Sequence, residues 1–195
     1  MHILVTNDDG VQAPGLLALA KEMRKLGKVT VFAPDKNWSA SGHVKTMERP
    51  LRVREVLLAD GTPAFASDGA PSDCVALPLL GLIEKQVDLV VSGINPNANL
   101  GHDVTYSGTV TAAMEGVIAG VKGIAVSLDS PEGFKGALDY STAAIVARRV
   151  AKKGDGRWSA RRRGDECQCA VFEEGKTQRL HDHPSGLARV SRCIG

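Results

Sequence analysis

The sequence predicts an α/β protein: a three-layer, Rossmann-like fold on a mostly parallel sheet. Three observations predict it. Short apolar, β-branched runs recur at 2–6, 29–33, 87–95 and 123–128. Stretches with apolar residues at helical spacing separate them, at 16–26, 71–83, 110–121 and 138–153. Each apolar run gives way to a loop of Asn, Asp, Gly, Ser or Pro. Continuous apolar strands alternating with amphipathic helices indicate a parallel sheet covered on both faces.

The first strand, His2-Ile3-Leu4-Val5-Thr6, stops at Asn7-Asp8-Asp9-Gly10. Pro14-Gly15 opens a helix whose apolar face is Leu16, Leu17, Leu19, Ala20, Met23 and Leu26, with Gly27 as its stop. Val29 to Ala33 is the next strand, ended by Pro34-Asp35, and the connection is expected to be right-handed. A small, polar loop follows from Pro34 to His43, with Asn37, Trp38, Ser39 and Ser41. Residues 51–53 and 63–66 read as short strands joined through Asp60-Gly61. A helix begins near 67–71 and runs to Ile83, with a kink or early break expected at Pro78. Val87 to Asn95 is another buried strand, and 96–107 a polar loop. Ser107-Gly108-Thr109 precedes a helix, Gly123 to Leu128 is a further strand, and Leu138 to Lys153 a last amphipathic helix.

A chain of 195 residues with 43% hydrophobic and 24% charged content suits one domain with a real core. A net charge of +2 gives no case for nucleic acid or a membrane surface. With 4% aromatics, stacking platforms for bases are not the main device. No basic leader with an apolar core and no membrane-spanning run is present in this sequence, so the expectation is a cytoplasmic protein. The 4 cysteines do not suggest a disulfide framework in a chain of this length.

The chemistry gathers at the strand ends. In open α/β sheets, ligands sit beyond the carboxyl ends of strands. Adjacent strand residues point to opposite faces, so Asp8 and Asp9 converge only once the chain has left the strand, and Gly10 permits that departure. Two like charges held close repel unless a cation or a proton lies between them. Oxygen donors select a hard divalent ion, Mg²⁺ or Mn²⁺. The alternative is an ordinary turn in which Asp8 or Asp9 caps the following helix. Ser39 and Asn95 end the neighbouring segments and add a hydroxyl and an amide carbonyl. Ser107-Gly108-Thr109 offers unpaired N–H groups and two hydroxyls, which suit a phosphate; the alternative is a plain helix cap. Metal and phosphate at one sheet edge imply phosphoryl chemistry, namely hydrolysis of a phosphomonoester.

These motifs resemble the SurE family of survival proteins. The likeness rests on Ile3-Leu4-Val5-Thr6-Asn7-Asp8-Asp9-Gly10, on Ala33-Pro34-Asp35 through Gly42-His43 with Ser39, on Ser92-Gly93-Ile94-Asn95, and on Tyr106-Ser107-Gly108-Thr109-Val110 through Met114-Glu115-Gly116. It covers residues 1–153 in the family's order. The resemblance implies a divalent-metal-dependent nucleoside monophosphate phosphatase with one Mg²⁺ or Mn²⁺ on Asp8, Asp9, Ser39 and Asn95. Ser107, Gly108 and Thr109 are then the phosphate contacts, with Asn7 and Gly93 as lesser ones, and Asp8 and Asp9 the catalytic carboxylates. It also implies a homodimer or tetramer. Asn97 stands where the family usually places Gly, and Asn tolerates left-handed backbone better than most residues. Two rival readings remain: an aspartyl-phosphate phosphatase with Asp8 as nucleophile, and a non-catalytic nucleotide-binding or inactive product.

From Gly154 the composition changes. Arg161-Arg162-Arg163, Cys167, Cys169, Cys193 and His181-Asp182-His183 appear, and the apolar periodicity ends. The Cys and His spacings match no common zinc module. Sliding the reading frame by one base through Glu166 to Phe172 permits Asn-Val-Asn-Val-Pro, with which the family continues. The same slide through His181 to Gly186 permits Thr-Ile-Thr-Arg-Gln, and from Gly154 it permits Val-Met-Glu-Asp-Gly-Leu-Pro. The expectation is therefore a SurE-like domain over 1–153 and an out-of-frame, disordered tail over 154–195, with the C-terminal part of the family fold missing. The sheet edge beyond the last helix is expected to be bare and the oligomer weakened.

Overall fold

A computed structural model of the chain describes residues 1–84, 86–130, 134, 136–153, 167–173, 176–181 and 189–192. Its elements are β1 (His2–Thr6), α1 (Pro14–Met23), β2 (Lys28–Pro34), β3 (Val53–Leu57), β4 (Pro63–Ser67), α2 (Pro71–Leu77), β5 (Leu89–Asn95), α3 (Asp103–Tyr106), α4 (Gly108–Ile118), β6 (Lys122–Leu128), α5 (Ser141–Lys153), β7 (Cys167–Glu173), β8 (Lys176–His181) and β9 (Arg189–Arg192). The sheet order is β3-β4-β2-β1-β5-β6-β7-β8-β9. Strands β4, β2, β1, β5 and β6 run parallel, while β3 and β7 to β9 pair antiparallel. The predicted α/β class, mostly parallel sheet and three layers are what the structure has.

Alternation along β1 builds the layers. Ile3 and Val5 face α1 and α5 in one apolar cluster, with Val31, Val91, Leu16, Leu19 and Ala147. Leu4 faces the opposite side with Phe32, Val90, Val75 and Ala112, beneath α2 and α4. Ile3, Leu4 and Val5 are fully buried, each contributing about 1.5–3 kcal/mol relative to exposure. A strand buried on both faces favours apolar side chains throughout, which is why β1 reads as apolar between His2 and Thr6.

The order of the strands places the site. From β1 the chain crosses through α1 to β2 on one side, and β5 pairs with β1 on the other. The crevice at such a reversal is where open α/β sheets bind ligands. Both strands bordering it deliver candidate donors: Asp8 and Asp9 after β1, Asn95 at the end of β5.

Several local expectations are corrected. Helix α1 ends at Met23 rather than Leu26, and residues 24–26 close it as turns through Arg24, Lys25 and Leu26 N–H bonds to the carbonyls of Ala20, Glu22 and Met23. Strand β3 lies at 53–57, not 51–53; it is a solvent-exposed edge, so burial leaves no apolar pattern to read. Helix α2 stops at Leu77, and Pro78 opens a single wide turn to Leu82 containing Gly81 at φ +108°, the break expected there. Residues 103–106 form a one-turn helix inside the expected loop. The edge of β6 is not bare: β7 pairs with it antiparallel from Gly123↔Phe172 to Leu128↔Cys167. An exposed strand edge accepts any extended segment through backbone groups alone, without a packed apolar face. The tail expected to be disordered over 154–195 holds strands at 167–173, 176–181 and 189–192, and its other residues lie outside the described ones.

Candidate active site

The turn after β1 is tied by its own first residue. The Asn7 side chain donates to the Gly10 carbonyl at 3.0 Å and accepts from the Gly10 N–H at 3.2 Å. Asn7 is fully buried, so its amide shapes the turn and does not face the cavity. Gly10 sits at φ +107°, a conformation open to glycine, and this turns Asp8 and Asp9 off the strand.

Asp8 and Asp9 share one cavity with Ser39, Ala40, Asn95, Pro96, Asn97, Asn99, Asp103, Tyr106 and Ser107. Its volume is about 250 Å³, roughly eight waters at ~30 Å³ each. That is room for a hydrated cation and a phosphoryl group. A larger cavity of about 700 Å³ lies along α2 and α4, lined by Lys45, Leu79, Ile83, Val87, Glu115 and Val121 among others; it holds none of the candidate donors.

The loop bearing Ser39 is stitched to the site. The Trp38 N–H donates to the Asp8 carbonyl at 2.7 Å and the Ser39 N–H to the Asn37 side chain at 2.6 Å. Gly42 donates to the Tyr106 carbonyl at 2.9 Å, and the Thr111 hydroxyl to the Gly42 carbonyl at 3.0 Å. Further on, His43 Nε2 lies 2.8 Å from Glu115 Oε2, and Lys45 Nζ meets Glu115 Oε1 at 2.5 Å. His43 is thus engaged on α4 and is not part of the cavity lining. Ala40 takes left-handed backbone at φ +56°; Asn97 does not.

At the end of β5, Gly93 has φ +134°, and a Cβ there would come 2.3 Å from the Val126 carbonyl oxygen. Only glycine allows β5 and β6 to approach so closely just before Asn95. The Asn95 side-chain N–H donates to the Asn97 carbonyl at 2.5 Å, which engages the donor end of the amide and leaves its oxygen as an acceptor.

The three residues opening α4 divide. Ser107 lines the cavity, and its Oγ accepts from the Val110 N–H at 3.2 Å while its O–H remains a donor. Thr109 is fully buried and donates to Asp8 Oδ1 at 2.5 Å. A Cβ on Gly108 would lie 2.7 Å from the Asp8 Cβ, so the first turn of α4 rests directly on that side chain.

The electrostatics follow from this packing. Burial raises the Asp9 carboxyl from 3.8 to about 7, and the charge of Asp8 adds to the rise. Burial also raises Asp8, opposed by the Thr109 hydroxyl and by the backbone around Gly108 and Thr109. The Tyr140 phenol is raised by burial and by the nearby Asp9. A pair of close carboxylates that resists ionising is a site that lacks a positive charge. Among the described residues no three His, Cys, Asp or Glu side chains converge. The donor set is therefore two carboxylates with a neutral hydroxyl and amide oxygen, which fits a small hard cation that keeps several waters.

The predicted Asp8, Asp9, Ser39, Asn95 and Ser107 come together on one cavity; Asn7, Gly93, Gly108 and Thr109 stand behind it. Sequence reasoning missed Asp103 and Tyr106, which line the cavity, and Tyr140, which lies outside its lining but near Asp9. Tyr106 directly precedes Ser107 and is 64% exposed at the cavity, a position its neighbours point to. Nothing local marks Asp103 or Tyr140.

Comparison with known proteins agrees with the motifs. The family model described as Survival protein SurE matches residues 3–176. A protein named 5'-nucleotidase SurE from Herpetosiphon aurantiacus is 60% identical over 151 residues, 77% of this chain and 58% of that relative. One of the same name from Chloroflexus aggregans is 55% identical over 150 residues, again 77% of this chain and 58% of the relative. The crystal structure of the SurE protein from Aquifex aeolicus aligns with a TM-score of 0.67 at 42% identity, covering 78% of this chain and 59% of that one. The chain thus spans about three fifths of the length of the relatives it matches. Over residues 3–176 the chain belongs to the survival protein SurE family.

Proposed function

We propose that the chain carries a divalent-metal-dependent phosphatase acting on nucleoside 5'-monophosphates. The observation that carries this reading is the shared cavity of Asp8, Asp9, Ser39, Asn95 and Ser107 at the β1/β5 reversal. The relatives named 5'-nucleotidase SurE supply the substrate class. Asp8, Asp9, Ser39 and Asn95 would hold one Mg²⁺ or Mn²⁺. When bound, such an ion neutralises phosphoryl charge and makes a water more acidic.

The remaining work belongs to the chain's own residues. Ser107 donates its hydroxyl to a phosphoryl oxygen, and the first turn of α4 places positive dipole character behind it. Asp9 is the more open of the two carboxylates, and it would take the proton of the attacking water. Asp8 is 4% exposed with one oxygen engaged by Thr109, a poor posture for a nucleophile. Tyr106 offers an exposed ring at the rim for the nucleoside side of the substrate.

The test is phosphate release from AMP and GMP with Mn²⁺, with EDTA, and in Asp9→Asn. Release that requires the ion and is lost in the variant supports the reading. Nucleotide binding without release makes the chain a binding module, and a phospho-enzyme trapped on Asp8 makes it an aspartyl-phosphate phosphatase.

Two further elements belong to the same proposal. Residues 1–153 form the SurE-like unit and 154–195 come from a shifted reading frame. Curated relatives align over 150 to 158 residues, close to the length of the first unit, while the family model runs on to residue 176. The nucleotide sequence decides it: a shifted frame with stop codons or unrelated residues refutes the idea. The location is cytoplasmic, the assembly a homodimer or tetramer weakened by the altered C-terminal part, and neither nucleic acid nor membrane is a partner. Among the described residues no helix is long and apolar enough to cross a membrane.

A further inference from the structure

We infer that Thr109 is a positioning residue for Asp8 rather than a phosphate contact: its hydroxyl fixes Asp8 Oδ1 and so sets the orientation in which the Asp8 carboxylate meets a cation. The inference rests on the metal-site reading above.

Three observations carry it. Thr109 is fully buried and does not line the cavity, so its hydroxyl cannot reach a phosphate there without displacing Asp8. Its Oγ1 lies 2.5 Å from Asp8 Oδ1 across 101 residues of sequence. A buried hydroxyl that meets a carboxylate donates to it, since an ionised carboxylate is an acceptor only. Gly108 closes the other side: its Cα leaves no space for a Cβ, which would stand 2.7 Å from the Asp8 Cβ and 3.0 Å from Oδ2. The Asp8 side chain is therefore clamped between β1 and the first turn of α4, with Oδ1 held by Thr109 and the carboxylate fixed in one orientation.

The physical consequence concerns affinity. A carboxylate free to rotate loses entropy when a cation fixes it; one already held does not. Partners that orient a ligand in this way typically change metal affinity by roughly 10–100-fold. The Ser-Gly-Thr segment then has two separate duties. Ser107 faces the cavity, and Gly108 with Thr109 faces the ligand.

The experiment compares Thr109→Ala with Thr109→Ser, both lacking the methyl group and differing in the hydroxyl. Mn²⁺ dissociation constants are measured by electron paramagnetic resonance of free Mn²⁺, with thermal melts as a check of folding. The expected result is a Kd raised roughly 10–100-fold in Thr109→Ala and held within about threefold of the parent in Thr109→Ser. Equal affinity in all three proteins overturns the inference. Equal weakening in both variants also overturns it, because the methyl group and not the hydroxyl then matters. Unchanged Mn²⁺ affinity with weaker inhibition by inorganic phosphate in Thr109→Ala returns the hydroxyl to the phosphate. A parent protein that binds no Mn²⁺ overturns the metal-site reading itself, and is recognised by that control.

Discussion

Replacing Asp9 with Asn should stabilise the metal-free protein while abolishing its chemistry. The Asp9 carboxyl is raised from 3.8 to about 7, first by burial and then by the charge of Asp8. The folded chain thus holds this proton more tightly than the unfolded chain, and losing it costs stability. The penalty is absent below pH ~4, grows as pH rises, and is complete above about 7. A rise from 3.8 to about 7 corresponds to about 4 kcal/mol at most. Asp9 is only half-buried, so solvent screening reduces this to ~1–3 kcal/mol. Asn keeps the shape and removes the charge. In EDTA at pH 8, Asp9→Asn should therefore melt about 2–10 °C above the parent. At pH 5 the gain should fall to about a third of that. Calorimetry or circular dichroism melts at the two pH values measure it. A variant equal to or less stable than the parent at pH 8, or a gain that does not change with pH, refutes the reasoning. Destabilised parents and stabilised inactive variants are the usual pattern where a site stores unfavourable charge.

Other substitutions and conditions probe the same arrangement. Added Mn²⁺ should raise the melting temperature more at pH 8 than at pH 6, since the proton on Asp9 competes with the ion; at one hundred times Kd the gain is about 2.7 kcal/mol. Thermal melts across pH with fixed Mn²⁺ check this, and a shift independent of pH contradicts it. Gly93→Ala should destabilise by about 2–4 kcal/mol, because the backbone sits at φ +134° and the new Cβ meets the Val126 carbonyl; urea unfolding reads it, and a cost under about 0.5 kcal/mol sinks it. Glu115→Gln should cost about 1–2 kcal/mol by leaving His43 and Lys45 without their carboxylate. It should also raise the Mn²⁺ Kd, because that anchor holds the loop carrying Ser39. Melts and Mn²⁺ titration of the variant report the two effects separately.

The parts of the fold legible in the sequence are those where burial writes a pattern. β1, β2, β5 and β6 are buried for most of their length and read as apolar runs. β3 is exposed along most of its length, so its position slipped by two residues. The one turn at 103–106 buries nothing and left no period to detect. Pairing of β7 with β6 joins residues about 39 to 49 apart through backbone groups, which no side-chain pattern encodes. Strand order is invisible for the same reason, although the β1/β5 reversal is what aims the site.

The candidate site divides in the same way. Asp8, Asp9, Ser39 and Asn95 were legible because strand ends face one edge of a parallel sheet, and the structure gathers them on one cavity. Asn7 and Gly93 sit in those same motifs yet serve the backbone, one tying the turn and the other admitting a close strand approach. Thr109 looked like a phosphate contact because a helix start normally offers free donors. Its hydroxyl is instead engaged by a carboxylate 101 residues away, a long-range contact that only folding reveals.

The central claim is that oxygen donors from four separate positions share one doubly charged ion. Crystals of the protein grown with Mn²⁺, with an anomalous difference map at the manganese edge, test it most directly. A single strong peak bounded by the Asp8 and Asp9 carboxylates, the Ser39 hydroxyl and the Asn95 amide oxygen is expected. A peak elsewhere, or an empty cavity at saturating Mn²⁺, contradicts it.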